Sequence, residues 1–137
     1  MESKKAIRVV AAEIERDGRY LITQRRPKAT MPLLWEFPGG RVEPGESDKD
    51  ALARELKEVI GVSAVVGEQA LHVVHETENI TLDFVVLSVQ ISGTPQCLGV
   101  HDWRWVEPDD FGNYEFPGAD QRTIEALLGE GPESDAT

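Results

Sequence analysis

The chain carries a single cysteine, Cys97, in 137 residues. No disulfide can close within it, so stability must come from a packed apolar core, and a reducing compartment suits it. It also lacks an uninterrupted apolar run long enough to span a bilayer, and Met1 to Val10 is charged where a secretory signal would be apolar. These absences predict a cytoplasmic protein with no membrane partner. Positive charge is scarce as well: 14 basic residues stand against 25 acidic ones, for a formal net charge of −11. A surface of that sign repels bulk nucleic acid, whose binding depends on many phosphate contacts. It still admits a small anion in a pocket, provided a few arginines and a divalent cation offset the field locally. The length predicts one domain, residues 1–129, followed by a polar, disordered tail over 130–137, as a monomer or a homodimer.

Ile7 to Ile14 is apolar and β-branched, Glu15 to Gly18 reads as a turn, and Tyr20 to Thr23 resumes the apolar run, which predicts a β-hairpin. From Gln24 to Pro44 prolines, glycines and arginines alternate around Leu33 to Phe37, the composition of a long functional loop. Ser47 with Asp50 has the form of a capping box, and Gly61 supplies a stop, so a helix is expected over Asp48 to Ile60. Strands follow at Val62 to Val66, Ala70 to Thr77 and Ile80 to Ile91, with Glu78 and Asn79 at a hairpin tip, and one more around Trp103 and Trp105. Ala119 to Leu128 reads as a closing amphipathic helix.

At 100° per residue, Glu55 and Glu58 share one flank of the central helix, while Leu52, Leu56, Val59 and Ile60 form the adjoining apolar arc. Two carboxylates three residues apart, facing a glycine-rich loop, offer hard oxygen ligands suited to magnesium. The same spacing also fits surface acids paired with Arg54 or Lys57. His72 and His75, three apart in a strand, face opposite sides and are not a joint metal pair, and Trp103 and Trp105 read as sheet packing.

The whole segment Gly40 to Val62, GRVEPGESDKDALARELKEVIGV, with the lead-in Trp35-Glu36-Phe37-Pro38-Gly39, resembles the Nudix box. Gly40, Glu46, Arg54, Glu55, Leu56, Glu58, Gly61 and Val62 all fit its pattern. The resemblance implies the α/β Nudix fold, a mixed β-sheet sandwiched between helices. It implies a MutT-like, magnesium- or manganese-dependent hydrolysis of a nucleoside triphosphate to monophosphate and pyrophosphate. By the same resemblance Glu55 and Glu58 are metal ligands or orient water, Gly40 lends its carbonyl, and Arg54 and Glu46 hold the carboxylates in place. Arg25 and Arg26 fall where relatives reach phosphate with an arginine, whose fork donates bidentately. Phe37 and Phe116 are candidates to stack on the base, and Asp120 to accept from its edge or to cap the last helix.

Two positions depart from the pattern. The family's second consecutive glutamate is Val59, and Gly99 stands where many relatives place another glutamate before the Trp-bearing strand. Glu76, His101 and Asp102 are the candidates to replace a missing ligand. The departures leave open a protein of reduced activity, or a nucleotide-binding or regulatory protein on the same scaffold. Between an oxidised purine such as 8-oxo-dGTP and CTP or dCTP the residues make no choice. Glu76 to Asp83 lacks the proline or tyrosine expected of relatives acting on ADP-ribose or dinucleoside polyphosphates.

Overall fold

A computed structural model describes residues 4–118 and 121–128 of the chain. Alternation of apolar residues makes Lys5–Glu13 the first strand, β1, with Ile7 and Val9 on one face and Val10 and Ala12 buried on the other. Two residues further, Glu15–Arg16 (β2) turns back through Asp17 and Gly18 onto Arg19–Gln24 (β3). Trp35–Glu36 (β4) and Gly39–Arg41 (β5) lie within the long loop region, before the helix Asp48–Ile60 (α1). Ser63–Glu76 (β6) and Ile80–Ser92 (β7) form a long hairpin, Asp102–Val106 is β8, Pro108–Asn113 is a 3-10 turn, and Gln121–Leu128 is α2.

The strands divide into two sheets where the sequence suggests one. The first, in the order β5-β1-β7-β6, is mixed, because β1 runs parallel to β7 from Lys5 opposite Ile80 to Glu13 opposite Ser88. The second is antiparallel, with β2, β4 and β8 all paired to β3. The expected hairpin of Ile7–Ile14 with Tyr20–Thr23 is therefore corrected: Glu15 and Arg16 pair across that turn and the Leu21 N–H donates to the Ile14 carbonyl, while β1 serves the other sheet. The two segments expected at Val62–Val66 and Ala70–Thr77 are one strand, interrupted by bulges between Val66 and Leu71.

Helix α1 fits its expected boundaries. The Ser47 side chain accepts from the Asp50 N–H, and Gly61 ends the helix in the left-handed region at φ 69°, its N–H donating to the Lys57 carbonyl. Its apolar stripe, Ala51, Leu52, Leu56 and Ile60, is fully buried against Val10, Ala12, Val85 and Leu87. On the opposite face of β1 and β7, Ile124 of α2 packs with Ile7, Ile80 and Leu82. The mixed sheet is thus covered on both sides, the layering expected of the α/β fold. The tail over 130–137 and the helix start at Ala119 lie outside the described residues. Among the described residues no helix is long and apolar enough to cross a membrane.

Leu56 has no solvent exposure. Its replacement by alanine should remove about 2–5 kcal/mol of stability in urea unfolding, by lost transfer energy plus a cavity. Val65→Ala, at 71% exposure, should change stability by no more than about 0.5 kcal/mol.

Candidate active site

The first turn of α1 is tied to the sheet by Arg8, whose Nε and Nη2 donate to the two oxygens of Asp48 at 2.7 and 2.8 Å. The guanidinium holds the Asp48 carboxyl below its ordinary range. Two turns along, Arg54 gathers the acids. Its Nε and Nη2 donate to both oxygens of Glu46 at 2.7 and 3.0 Å, and Nη2 also reaches the Arg41 carbonyl at 3.1 Å. Its Nη1 donates to Glu55 at 3.0 Å and to Glu58 at 3.4 Å. Glu46 also accepts the Glu43 N–H, so the loop leading into α1 is closed on its own carboxylate.

β5 runs directly under Glu55. A Cβ at Gly40 would lie 2.4 Å from the Glu55 carboxyl carbon, so only glycine allows the strand and the carboxylate to approach this closely. Glu55 is consequently the most enclosed of the acids, at 18% side-chain exposure against 58% for Glu58. Burial pushes its pKa up, opposed by the bond and charge of Arg54. Glu46 shows the reverse shift, lowered chiefly by its bonds from Arg54.

The structure brings Gly40, Glu46, Arg54, Glu55 and Glu58 together. Position 59 sits one turn beyond Glu55, and there Val59 packs on the core and meets the loop before β8. The N–H groups of Leu98 and Gly99 both donate to the Val59 carbonyl, at 3.2 and 2.9 Å. A Cβ at Gly99 would stand 3.0 Å from Val59 Cγ1. The two departures noted in the sequence are therefore in contact with each other. Glu76 is engaged by Lys4, and Asp102 by the Trp103 N–H and Arg104. His101 lines an open, shallow cavity of about 360 Å³ with Arg26, Pro27, Lys28 and Val100. Among the described residues no three His, Cys, Asp or Glu side chains converge as a metal cluster. His72 bonds Asp83 at 2.9 Å, and Trp103 and Trp105 pack against the core.

The two arginines part company. Arg25 is buried, donating from Nε to the Thr30 carbonyl and from Nη1 to Glu36, and it shapes the loop between β3 and β4. Arg26 is on the surface of the cavity and donates to the Leu98 carbonyl, linking that loop to the one against Val59. Phe37 and Phe116 lie 5.9 Å apart in a cluster with Phe111 and Tyr20. Asp120 lies outside the described residues.

The family model of the NUDIX domain matches residues 9–126. The chain belongs to the Nudix family. Among its Nudix relatives, a CTP pyrophosphohydrolase of Escherichia coli is 38% identical over 90% of this chain and 93% of its own length. An 8-oxo-dGTP diphosphatase of Haemophilus influenzae is 34% identical over 93% of this chain and 95% of its own. In structure the chain is similar to the E. coli ORF135 protein, with a TM-score of 0.75 and 38% identity over 92% of this chain and 91% of that one. It is also similar to a MutT protein from Methanosarcina mazei, at 0.74 and 27% identity over 95% and 98%.

Nudix proteins use divalent metals, and the donors available here, the Gly40 backbone with Glu55 and Glu58, are all hard oxygens that fit one. Reading the sequence did not find the Arg8–Asp48 pair or the Lys28 side of the cavity. The only signal for the first was an acid in the first helical turn.

Glu55 and Glu46 should respond oppositely to neutralisation. The raised folded pKa of Glu55 means its burial cost is absent at low pH and grows as pH rises above the ordinary carboxylate range. Glu55→Gln should therefore unfold at higher urea than the parent at neutral pH, with the gap closing at acid pH. Glu46, with a lowered folded pKa, contributes stability that is lost as pH falls through that value. Glu46→Gln should be the less stable chain at neutral pH and converge with the parent in acid.

Proposed function

We propose that the chain is a magnesium-dependent pyrophosphohydrolase that converts a nucleoside triphosphate to the monophosphate and pyrophosphate. The observation that carries this reading is the placement of Glu55 and Glu58 on one helix flank, linked by Arg54, with Glu55 against the Gly40 backbone. The names of the CTP and 8-oxo-dGTP relatives support the substrate class. CTP, dCTP and oxidised purine triphosphates head the candidates.

A bound magnesium ion, or manganese in its place, offsets phosphate charge and polarises the bond to be broken. The chain's own part is positioning. Glu55, anchored on β5 and by Arg54, supplies a carboxylate oxygen at a fixed place. Glu58 supplies a second and, being more exposed, aligns the attacking water. Water gives a proton to the Glu58 carboxylate and adds to phosphorus as the P–O bond of the α–β bridge breaks, the electron pair leaving with the bridging oxygen, so that monophosphate and pyrophosphate result. Arg54 keeps the acids spaced without itself meeting substrate. Arg26, at the mouth of the cavity with Lys28 and His101, contacts phosphate, and Arg25 holds the loop that presents it. Phe37 and Phe116 supply the stacking surface for the base, and Asp120 an acceptor for its edge. The single exposed Cys97 suits a cytoplasmic setting.

The contact between Val59 and Gly99 favours a second reading, a nucleotide-binding protein with little turnover. Pyrophosphate release from a panel of canonical and oxidised triphosphates, with magnesium and then manganese, separates the two. One substrate should be turned over well above the rest, and Glu58→Gln should lower its kcat/KM by about 100-fold or more. Turnover that survives this change would remove Glu58 from the site, and binding without turnover would establish the second reading.

A further inference from the structure

We infer that this protein forms a reversible homodimer through the outer edge of β6, two copies pairing antiparallel about Val74. β6 ends the mixed sheet, and among the described residues only β7 pairs with it, so one row of its N–H and C=O groups faces outward. Long sheet edges are ordinarily blunted by lysine, proline or a bulge. Here the bulges fall between Val66 and Leu71, and the regular stretch beyond them, Leu71 to His75, has no lysine, proline or acid. Leu71 and Val74 lie in it at 51% and 53% exposure. In a chain of net charge −11, this stretch lets a second copy approach without bringing acids together.

The register of β6 on β7 fixes the faces. His72, Val74 and Glu76 lie opposite Val85, Asp83 and Thr81, on the side of the sheet that carries α1, while Leu71, Val73 and His75 lie on the side of α2. A two-fold axis perpendicular to the sheet keeps each face on its own side. With that axis at Val74, the two Val74 side chains meet, and His72 of each copy stands opposite Glu76 of the other. Unlike partners thus flank an apolar centre. An axis at Val73 would set His72 opposite a valine and match no charge. His72 Nε2 bonds Asp83 at 2.9 Å, so the second ring nitrogen of a protonated His72 can donate to Glu76 of the other copy, itself held by Lys4 at 2.6 Å. Two four-stranded mixed sheets then join edge to edge. A junction this short buries less than about 1,200 Å² in all, which makes the dimer weak and reversible.

Sedimentation velocity of the full chain over a range of concentrations tests this. The chain should pass from monomer to dimer with a dissociation constant of about 100 micromolar or tighter. Val74→Lys, at an exposed position outside the candidate active site, should keep the parent's urea midpoint yet stay monomeric, because two ammonium groups would meet at the axis. Glu76→Lys should weaken the dimer about tenfold or more by facing His72 with a like charge. Glu107→Lys makes the same change in net charge at an exposed position just past β8 in the other sheet, and should not weaken it. A chain that remains monomeric throughout, a dimer that survives Val74→Lys and Glu76→Lys, or one that Glu107→Lys weakens equally, overturns the inference. The first of these needs no variant, so the inference can fail even if Val74→Lys does not fold. It stands apart from the proposed hydrolase, whose turnover is read separately.

Discussion

Arg54 donates at once to Glu46, Glu55, Glu58 and the Arg41 carbonyl, and the rest of the site depends on that one guanidinium. Two carboxylates about 4 Å apart repel by roughly 4 kcal/mol at an effective dielectric near 20, a large part of the stability of a small domain. A planar cation with several donors can lie among three acids and bond each, which a lysine ammonium cannot do with the same geometry. It also joins the incoming loop, through Glu46, to the helix that carries the other two acids. The site is therefore held by the same contacts that hold the start of α1.

Around that cation the backbone does much of the shaping. β5 can pass beneath Glu55 because Gly40 has no side chain, and the loop before β8 can lie on Val59 because Gly99 has none. The first approach gives Glu55 its enclosure and its raised pKa. The second sets that loop directly against the Val59 side chain.

The net charge of −11 would oppose a polyphosphate, so local cations have to offset it. Arg26, Lys28 and His101 meet at one cavity, and Arg26 is also bonded to the loop lying on Val59. Arg25, the neighbouring arginine in sequence, is turned inward to brace its loop. Beyond the end of β3 at Gln24 the chain enters a turn in which the Ala29 N–H donates to the Arg26 carbonyl, and the two similar arginines have different surroundings.

Helix α1 was legible almost residue by residue, because the capping serine, the 3.6-residue apolar stripe and the terminal glycine are local signals. The grouping of Gly40, Glu46 and Arg54 with Glu55 and Glu58 was implied by the resemblance to the Nudix box, helix spacing by itself joining only Glu55 and Glu58. The division of the strands into two sheets was not legible, because alternation tells which face a residue occupies and not which strand lies beside it. β4 and β5 were hidden inside a glycine- and proline-rich segment whose short apolar stretch, Leu33 to Phe37, does not say which strands it joins, and they pair because β1 and β3 offer edges. Val59 and Gly99 were separately visible as departures, but only tertiary structure places one against the other. Local propensity follows from neighbouring residues and can be read from the chain, whereas contact between distant segments depends on how the whole core packs.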